Sequence, residues 1–104
     1  MRGQNILFFN EYREKLQPRK IAVVGVPFDQ NSSFLRGSAQ APPLIREALF
    51  SYSANLFTEN GTDLGQSQNW LDVGDLTLAD ESTAFAEIEG AAVELLSAQM
   101  RVIT

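Results

Sequence analysis

Residues 20–26, Lys-Ile-Ala-Val-Val-Gly-Val, form a nearly continuous run of β-branched and small apolar residues without polar alternation. A strand with one solvated face shows a period of two, because successive side chains point to opposite sides of the sheet. The missing period predicts a strand buried on both faces, as in a parallel sheet covered by helices. This run restricts the chain to layered folds and makes the flanking segments the source of the covering layers.

Those segments follow a strand, loop, helix, strand, helix, strand order. Between Pro27 and Ala41 the chain carries Asp29, Asn31, Ser32, Ser33, Gly37 and Ser38, which predicts a long loop leaving the carboxyl end of the first strand. Loops at that end hold function in α/β sheets. Pro42-Pro43 suits a first helical turn, where amide donors lack partners, and Leu44, Ile45, Ala48 and Leu49 supply an apolar face for a helix ending near Phe50 or Tyr52. Turn chemistry returns at Asn60-Gly61 and Leu64-Gly65. Trp70, Leu71 and Val73 then make a second strand that stops at Gly74-Asp75. Asp80, Ser82 and Thr83 are alternative N-caps for a second helix. It is expected to turn Phe85, Ile88, Ala92, Leu95 and Leu96 inward and Glu87, Glu94 and Ser97 outward. Residues 100–104 open a third buried strand.

The predicted class is therefore α/β, a mostly parallel sheet with crossover helices. Three short parallel strands cannot bury both faces and both edges, so the expectation is an incomplete three-layer fold belonging to a truncated or split chain. Residues 1–19 mix Ile6, Leu7, Phe8, Phe9, Tyr12 and Leu16 with charged residues and read as an N-terminal arm ended by Pro18; residues 20–104 form part of a single α/β domain.

Composition narrows the chemistry. With 104 residues, 44% of them apolar, one small domain is expected. Thirteen acidic against eight basic residues give a net charge of −5, which opposes docking on nucleic acid or an anionic membrane. The absence of Cys and His excludes a disulfide framework, a thiolate zinc site and any imidazole base or ligand within these residues. The early apolar run Ile6–Phe9 is too short for a signal-peptide core or a membrane span, so a cytoplasmic address is the default. The sequons Asn31-Ser32-Ser33 and Asn60-Gly61-Thr62 then read as turn chemistry.

Few side chains qualify as chemical groups. The loop opening Gly25-Val26-Pro27-Phe28-Asp29 lacks both the dinucleotide and the phosphate-loop glycine patterns. Asp29 at a strand end can serve as a metal ligand or base, but a single carboxylate there is more often a turn residue. Asp72 and Asp75 would suit a hard divalent cation if they converged. Residues three apart on a regular strand face opposite ways, so only a turn at Gly74 can unite them, and a loop-fixing role weighs more heavily. Arg36 and Arg46 can each clamp an anion; for Arg46 the expectation is a guanidinium pinning a carbonyl-rich loop. Glu87, Glu89 and Glu94 read as a solvated helix face.

The run Val23-Val24-Gly25-Val26-Pro27-Phe28-Asp29, then Ser32-Ser33, then Gly37-x-x-x-Ala41-Pro42-x-x-Ile45-Arg46-Glu47-Ala48, resembles the amino-terminal part of the ureohydrolases, the family of arginases, agmatinases and formimidoylglutamases. Leu71-Asp72-x-Gly74-Asp75 falls where that family has its Asp-x-Gly-Asp strand end, so the similarity runs in order over residues 20–104. The Pro-Phe-Asp wording is similar to the agmatinase branch. Ala41 stands where the family usually has Gly.

The resemblance implies an arginase-like α/β fold, two manganese ions activating a bridging hydroxide, hydrolysis of a small guanidino compound to an amine and urea, and a homo-oligomer at full length. It places the family's metal ligands in later Gly-Gly-Asp-His, Asp-x-His-x-Asp and Asp-x-Asp segments, none of which occurs here. No catalytic or metal-binding residue carries over, and this chain alone is expected to be inactive and metal-free. What carries over is scaffold: Asp29, Gly37, Pro42, Ile45 and Arg46 around the first loop and helix, and Asp72, Gly74 and Asp75 at the second strand end. The alternative is a noncatalytic α/β module that associates through its sheet edge or with a separate second half. A weaker one is a flavodoxin-like ligand binder using the Asp29–Gly37 loop.

Overall fold

The computed structural model describes residues 8–30, 36–51, 55–78 and 80–104. Ile6, Leu7, Asn31, Ser32, Ser33 and Tyr52 lie outside the described residues. Three strands, β1 (Ile21–Gly25), β2 (Trp70–Asp75) and β3 (Arg101–Ile103), form one parallel sheet in the order β2-β1-β3. Their helices are α1 (Phe9–Tyr12), α2 (Ala41–Leu49) and α3 (Ala84–Ser97). The structure is thus an α/β layer of parallel strands joined by helices, the class expected from the sequence.

The apolar run of β1 occupies the centre of the sheet, as its composition requires, but only one face is sealed. Ala22 and Val24 are buried, whereas Ile21, Val23 and Gly25 are half-buried. The expectation of burial on both faces therefore fails in part. On the sealed face, Ala22, Val24 and Val73 meet Phe9 of α1, Ala91 and Leu95 of α3, and Leu76 and Met100 from the strand flanks. Phe9 is among the largest fully buried side chains of the described residues, which ties the segment before β1 into the core. Phe8 bridges to Asp75 in parallel sense at the outer edge of β2.

Two helix faces differ from the periodicity-based expectation. In α3 the inward positions are Ala84, Ile88, Ala91 and Leu95, while Phe85 and Leu96 are more than 60% exposed. Both stripes satisfy a helical period; the one with two alanines lets the helix axis approach the sheet closely, and that packing decides. Phe85 packs instead edge-on against Phe28, centroids 5.4 Å apart. In α2 the inversion is sharper: Leu44 and Ile45 are at least 60% exposed and Ala48 is exposed, yet Arg46 is buried.

Boundaries moved little. The α2 helix begins one residue ahead of Pro42, after a 3-10 turn over Ser38–Gln40. Asp80 caps a 3-10 turn, accepting from Ser82 N–H at 3.0 Å, and Thr83 leads into α3 with its hydroxyl 2.6 Å from Glu87 Oε1. The second strand, Trp70–Asp75, ends at the Gly74-Asp75 pair, as expected. Glu94 is not freely solvated: Arg13 Nε stands 2.8 Å from its carboxylate.

Candidate functional site

The carboxyl ends of β1 and β2 and the first turns of α2 meet around one buried guanidinium. Regular alternation puts Trp70 and Asp72 on the face toward α2 and Leu71 and Val73 toward the core; Asp75 would then follow Val73 inward. It does not. Val23 pairs with Asp72 but Val24 pairs with Gly74, so β2 carries one extra residue, a β-bulge. Gly74 takes φ +85°, a left-handed conformation that side-chain-bearing residues rarely adopt. The bulge resets the alternation, and Asp75 emerges on the same face as Asp72.

Both carboxylates reach Arg46. Its Nε donates to Asp72 Oδ2 at 2.8 Å and its Nη2 to Asp72 Oδ1 at 3.0 Å, a two-pronged bond that matches the planar fork of a guanidinium. Its Nη1 lies 2.7 Å from Asp75 Oδ1, a charge contact outside hydrogen-bond alignment. Arg46 is 9% exposed and Asp75 3%. Burial works against the charged guanidinium, but the hydrogen bond to Asp72 and the Asp75 carboxylate outweigh it and hold Arg46 above its ordinary range. Asp72 Oδ1 also accepts from Gly74 N–H at 3.0 Å, so one carboxylate fixes both the helix and the bulge. The partners of Arg46 are thus two carboxylates and not the loop carbonyls expected of it.

Gly25 makes room for this cluster. A Cβ built on it would overlap Asp75 Oδ1 and stand 2.7 Å from Pro42 Cβ, so the close approach of α2, β1 and Asp75 requires the absence of a side chain. The preceding loop is held separately: Asp29 Oδ2 accepts from Gly37 N–H at 2.5 Å and Ala39 N–H at 3.1 Å, leading the chain into α2. These two bonds, Gly37 first, lower the Asp29 carboxyl below its ordinary range.

Asp29, Gly37 and Pro42 therefore shape the entry to α2, while Arg46, Asp72, Gly74 and Asp75 form one network. Ile45 belongs to neither; largely exposed, it lines the rim of an open cavity of about 480 Å³ between α2 and the unsealed sheet face, with Val23, Phe28, Leu49 and Trp70. One feature escaped sequence reasoning: the role of Gly25, which looked like part of an apolar run. The convergence of the two aspartates comes about at Gly74, the position the sequence offered for it, through a bulge within the strand.

A metal pair does not fit these side chains. Among the described residues no three His, Cys, Asp or Glu side chains cluster for a cation. Asp72 and Asp75 already face a guanidinium, whose charge opposes a metal ion at the same oxygens.

A parallel α/β layer with a bulged Asp-x-Gly-Asp strand end, clamped by an arginine from the first crossover helix, defines the class. The family model for the arginase family matches residues 19–104, and the chain belongs to that family. It is 48% identical over 58 residues to "Arginase" of Glycine max, covering 56% of this chain and 17% of that protein. It is 47% identical over 58 residues to "Arginase 1, mitochondrial" of Oryza sativa subsp. indica, with the same coverage of both chains. Against "Arginase 2, chloroplastic/mitochondrial" of Arabidopsis thaliana the identity is 46% over 59 residues, 57% of this chain and 17% of that protein. The match thus spans about 17% of the length of these curated relatives. No solved structure matches.

Proposed function

We propose that this chain is a scaffold portion of a manganese-dependent ureohydrolase, an enzyme that hydrolyses a guanidino compound to an amine and urea. The observation that carries the proposal is the arginase-family match over residues 19–104, which contains the whole Arg46–Asp72–Asp75 network. In this reading the network does no chemistry on substrate. It locks the carboxyl end of β2 to α2, giving the loops at that end a fixed base. The metal ligands come from other segments of the protein, and the 104 residues alone turn over no substrate.

Two observations bear on the substrate. Val26-Pro27-Phe28-Asp29 is worded like the agmatinase branch, whereas the matching curated relatives are named arginase. Arginine and agmatine share the guanidino group and differ by a carboxylate, so an assay with both separates them.

The test expresses the complete gene that contains this sequence, loads the product with manganese and measures urea release from each compound. Urea from either supports the proposal, and the preferred compound assigns the branch. No urea from any guanidino compound, with the metal bound, would refute it.

A further inference from the structure

Asn60-Gly61 is the sole Asn-Gly pair in the sequence, and it lies outside the Arg46–Asp72–Asp75 network described above. It sits at the tip of a tight turn. Thr58 N–H donates to Thr62 O at 2.8 Å and Gly61 N–H to Thr58 O at 3.1 Å. Gly61 takes φ +88°, and Glu59, Asn60, Gly61 and Thr62 are exposed.

The Asn60 side chain is held in a particular way. Its Oδ1 accepts from the hydroxyl of Thr58 and from that of Thr62, the latter at 3.2 Å. Thr58 Oγ1 itself accepts from Thr62 N–H at 3.0 Å, which directs its own hydrogen toward Asn60. Two hydroxyl donors therefore converge on one amide oxygen. That is the arrangement that stabilises negative charge developing on a carbonyl oxygen under attack. The attacking group is built in: the backbone nitrogen of Gly61 can close a five-membered ring on Asn60 Cγ, and with no Cβ on Gly61 nothing crowds the approach.

We propose that Asn60 is a self-modification site at which the Thr58 and Thr62 hydroxyls promote intramolecular deamidation. Hydroxide removes the Gly61 amide proton, and the nitrogen bonds to Asn60 Cγ, pushing the C=O electron pair onto Oδ1 between the two hydroxyls. Collapse re-forms the carbonyl and breaks the bond to the side-chain nitrogen, which takes a proton from water and leaves as ammonia. One water then opens the cyclic imide at either carbonyl, giving aspartate or isoaspartate. The net reaction consumes water, releases ammonia and adds one negative charge to a chain whose charge is −5. The isoaspartyl product also lengthens the backbone by one methylene in the loop that leads to β2.

The bond from Gly61 N–H to Thr58 O acts in the other direction, because it must open before attack. This opposition makes the test decisive. If the threonines only brace the turn, removing them frees Gly61 and speeds the reaction; if they hold the oxyanion, removing them slows it. The protein expressed from the complete gene is incubated in mildly alkaline buffer, and peptide mass spectrometry follows the gain of about 1 Da at Asn60 with isoaspartate detection. Thr58→Val and Thr62→Val are each expected to slow the reaction about two- to tenfold, the worth of one hydrogen bond in water, and Thr62→Ser to keep the parent rate. Since Thr62 Oγ1 bonds only Asn60 among the contacts of the turn, Thr62→Val isolates the donor from the turn geometry. An unchanged or faster rate in Thr62→Val, or modification at other asparagines with Asn60 intact, overturns the proposal.

Discussion

Replacing Arg46 with methionine keeps most of the side-chain volume and removes the charge that faces Asp72 and Asp75. Two hydrogen bonds, at 2.8 and 3.0 Å, and one charge contact at 2.7 Å are lost together. Two carboxylates remain in a site where the side chains are only 4% and 11% exposed. Deleting one partner of a buried ion pair costs about 3–5 kcal/mol, chiefly because the remaining charge is left without compensation. Domains of this size have a total stability of about 5–15 kcal/mol, so the loss is a large fraction of the whole. With a urea dependence of about 1.5 kcal/mol per molar, the unfolding midpoint should fall by about 2–3 M. Trp70, the sole tryptophan, reports the transition, since its indole N–H donates to Leu64 O at 2.8 Å beside β2. The triple variant Arg46→Met, Asp72→Asn, Asp75→Asn removes the stranded charges and should recover about half of the loss or more, a non-additivity expected only of groups acting as one network. A loss under about 1 kcal/mol for Arg46→Met, or strict additivity in the triple variant, would refute the clamp.

Gly25→Ala should destabilise by about 1–3 kcal/mol through overpacking against Asp75 and Pro42, whereas Gly90→Ala, with open space around its Cβ in α3, should stabilise by about 0.5–1 kcal/mol; urea midpoints compare the two. Phe9→Ala should cost about 3–5 kcal/mol, because this ring is 2% exposed within the core, and a cost near zero would show that the segment before β1 does not anchor there. For Asp29 the folded carboxyl lies below 3.8, so its contribution is complete above the unfolded value and is lost as pH falls through the folded one. A carbon-detected NMR titration of Asp29 Cγ should give a midpoint under 3.8, rising toward that value when Gly37 and Ala39 are released by urea.

Much of the scaffold could be read from sequence. The run at 20–26 places β1, the double proline places the start of α2 within a residue, and residues 84–97 are helical throughout. Which way the helices turn could not be read. Apart from three glutamates the 14 positions of α3 are apolar or small, so two stripes satisfy the same period, and only the distance of closest approach separates Ala84-Ile88-Ala91-Leu95 from the stripe containing Phe85 and Leu96. In α2 the apolar residues lost the inward face to Arg46, because two carboxylates on the sheet outweigh the burial of Leu44 and Ile45 on a face that is not sealed. At the strand end the types were legible and the geometry was not: Asp72 and Asp75 were visible as a pair, but strand alternation separates them and says nothing of an arginine 26 residues earlier than Asp72.

The bulge at Gly74 also changes how this strand tolerates insertions and deletions. In an ordinary strand, side chains share a face when their spacing is even, so parity alone predicts which residues meet. Here an odd spacing of three behaves as an even one, because the extra residue inverts the phase partway along. Deleting Val73 would shorten β2 by only one residue yet leave all three charged partners in the sequence; Asp72 and Asp75 would then be two apart on a regular strand and again share a face. Deleting Val73 while keeping Gly74 left-handed would instead retain the kink and break the convergence. The Asp-x-Gly-Asp element therefore has two self-consistent lengths, and the dihedral angle of its glycine selects between them.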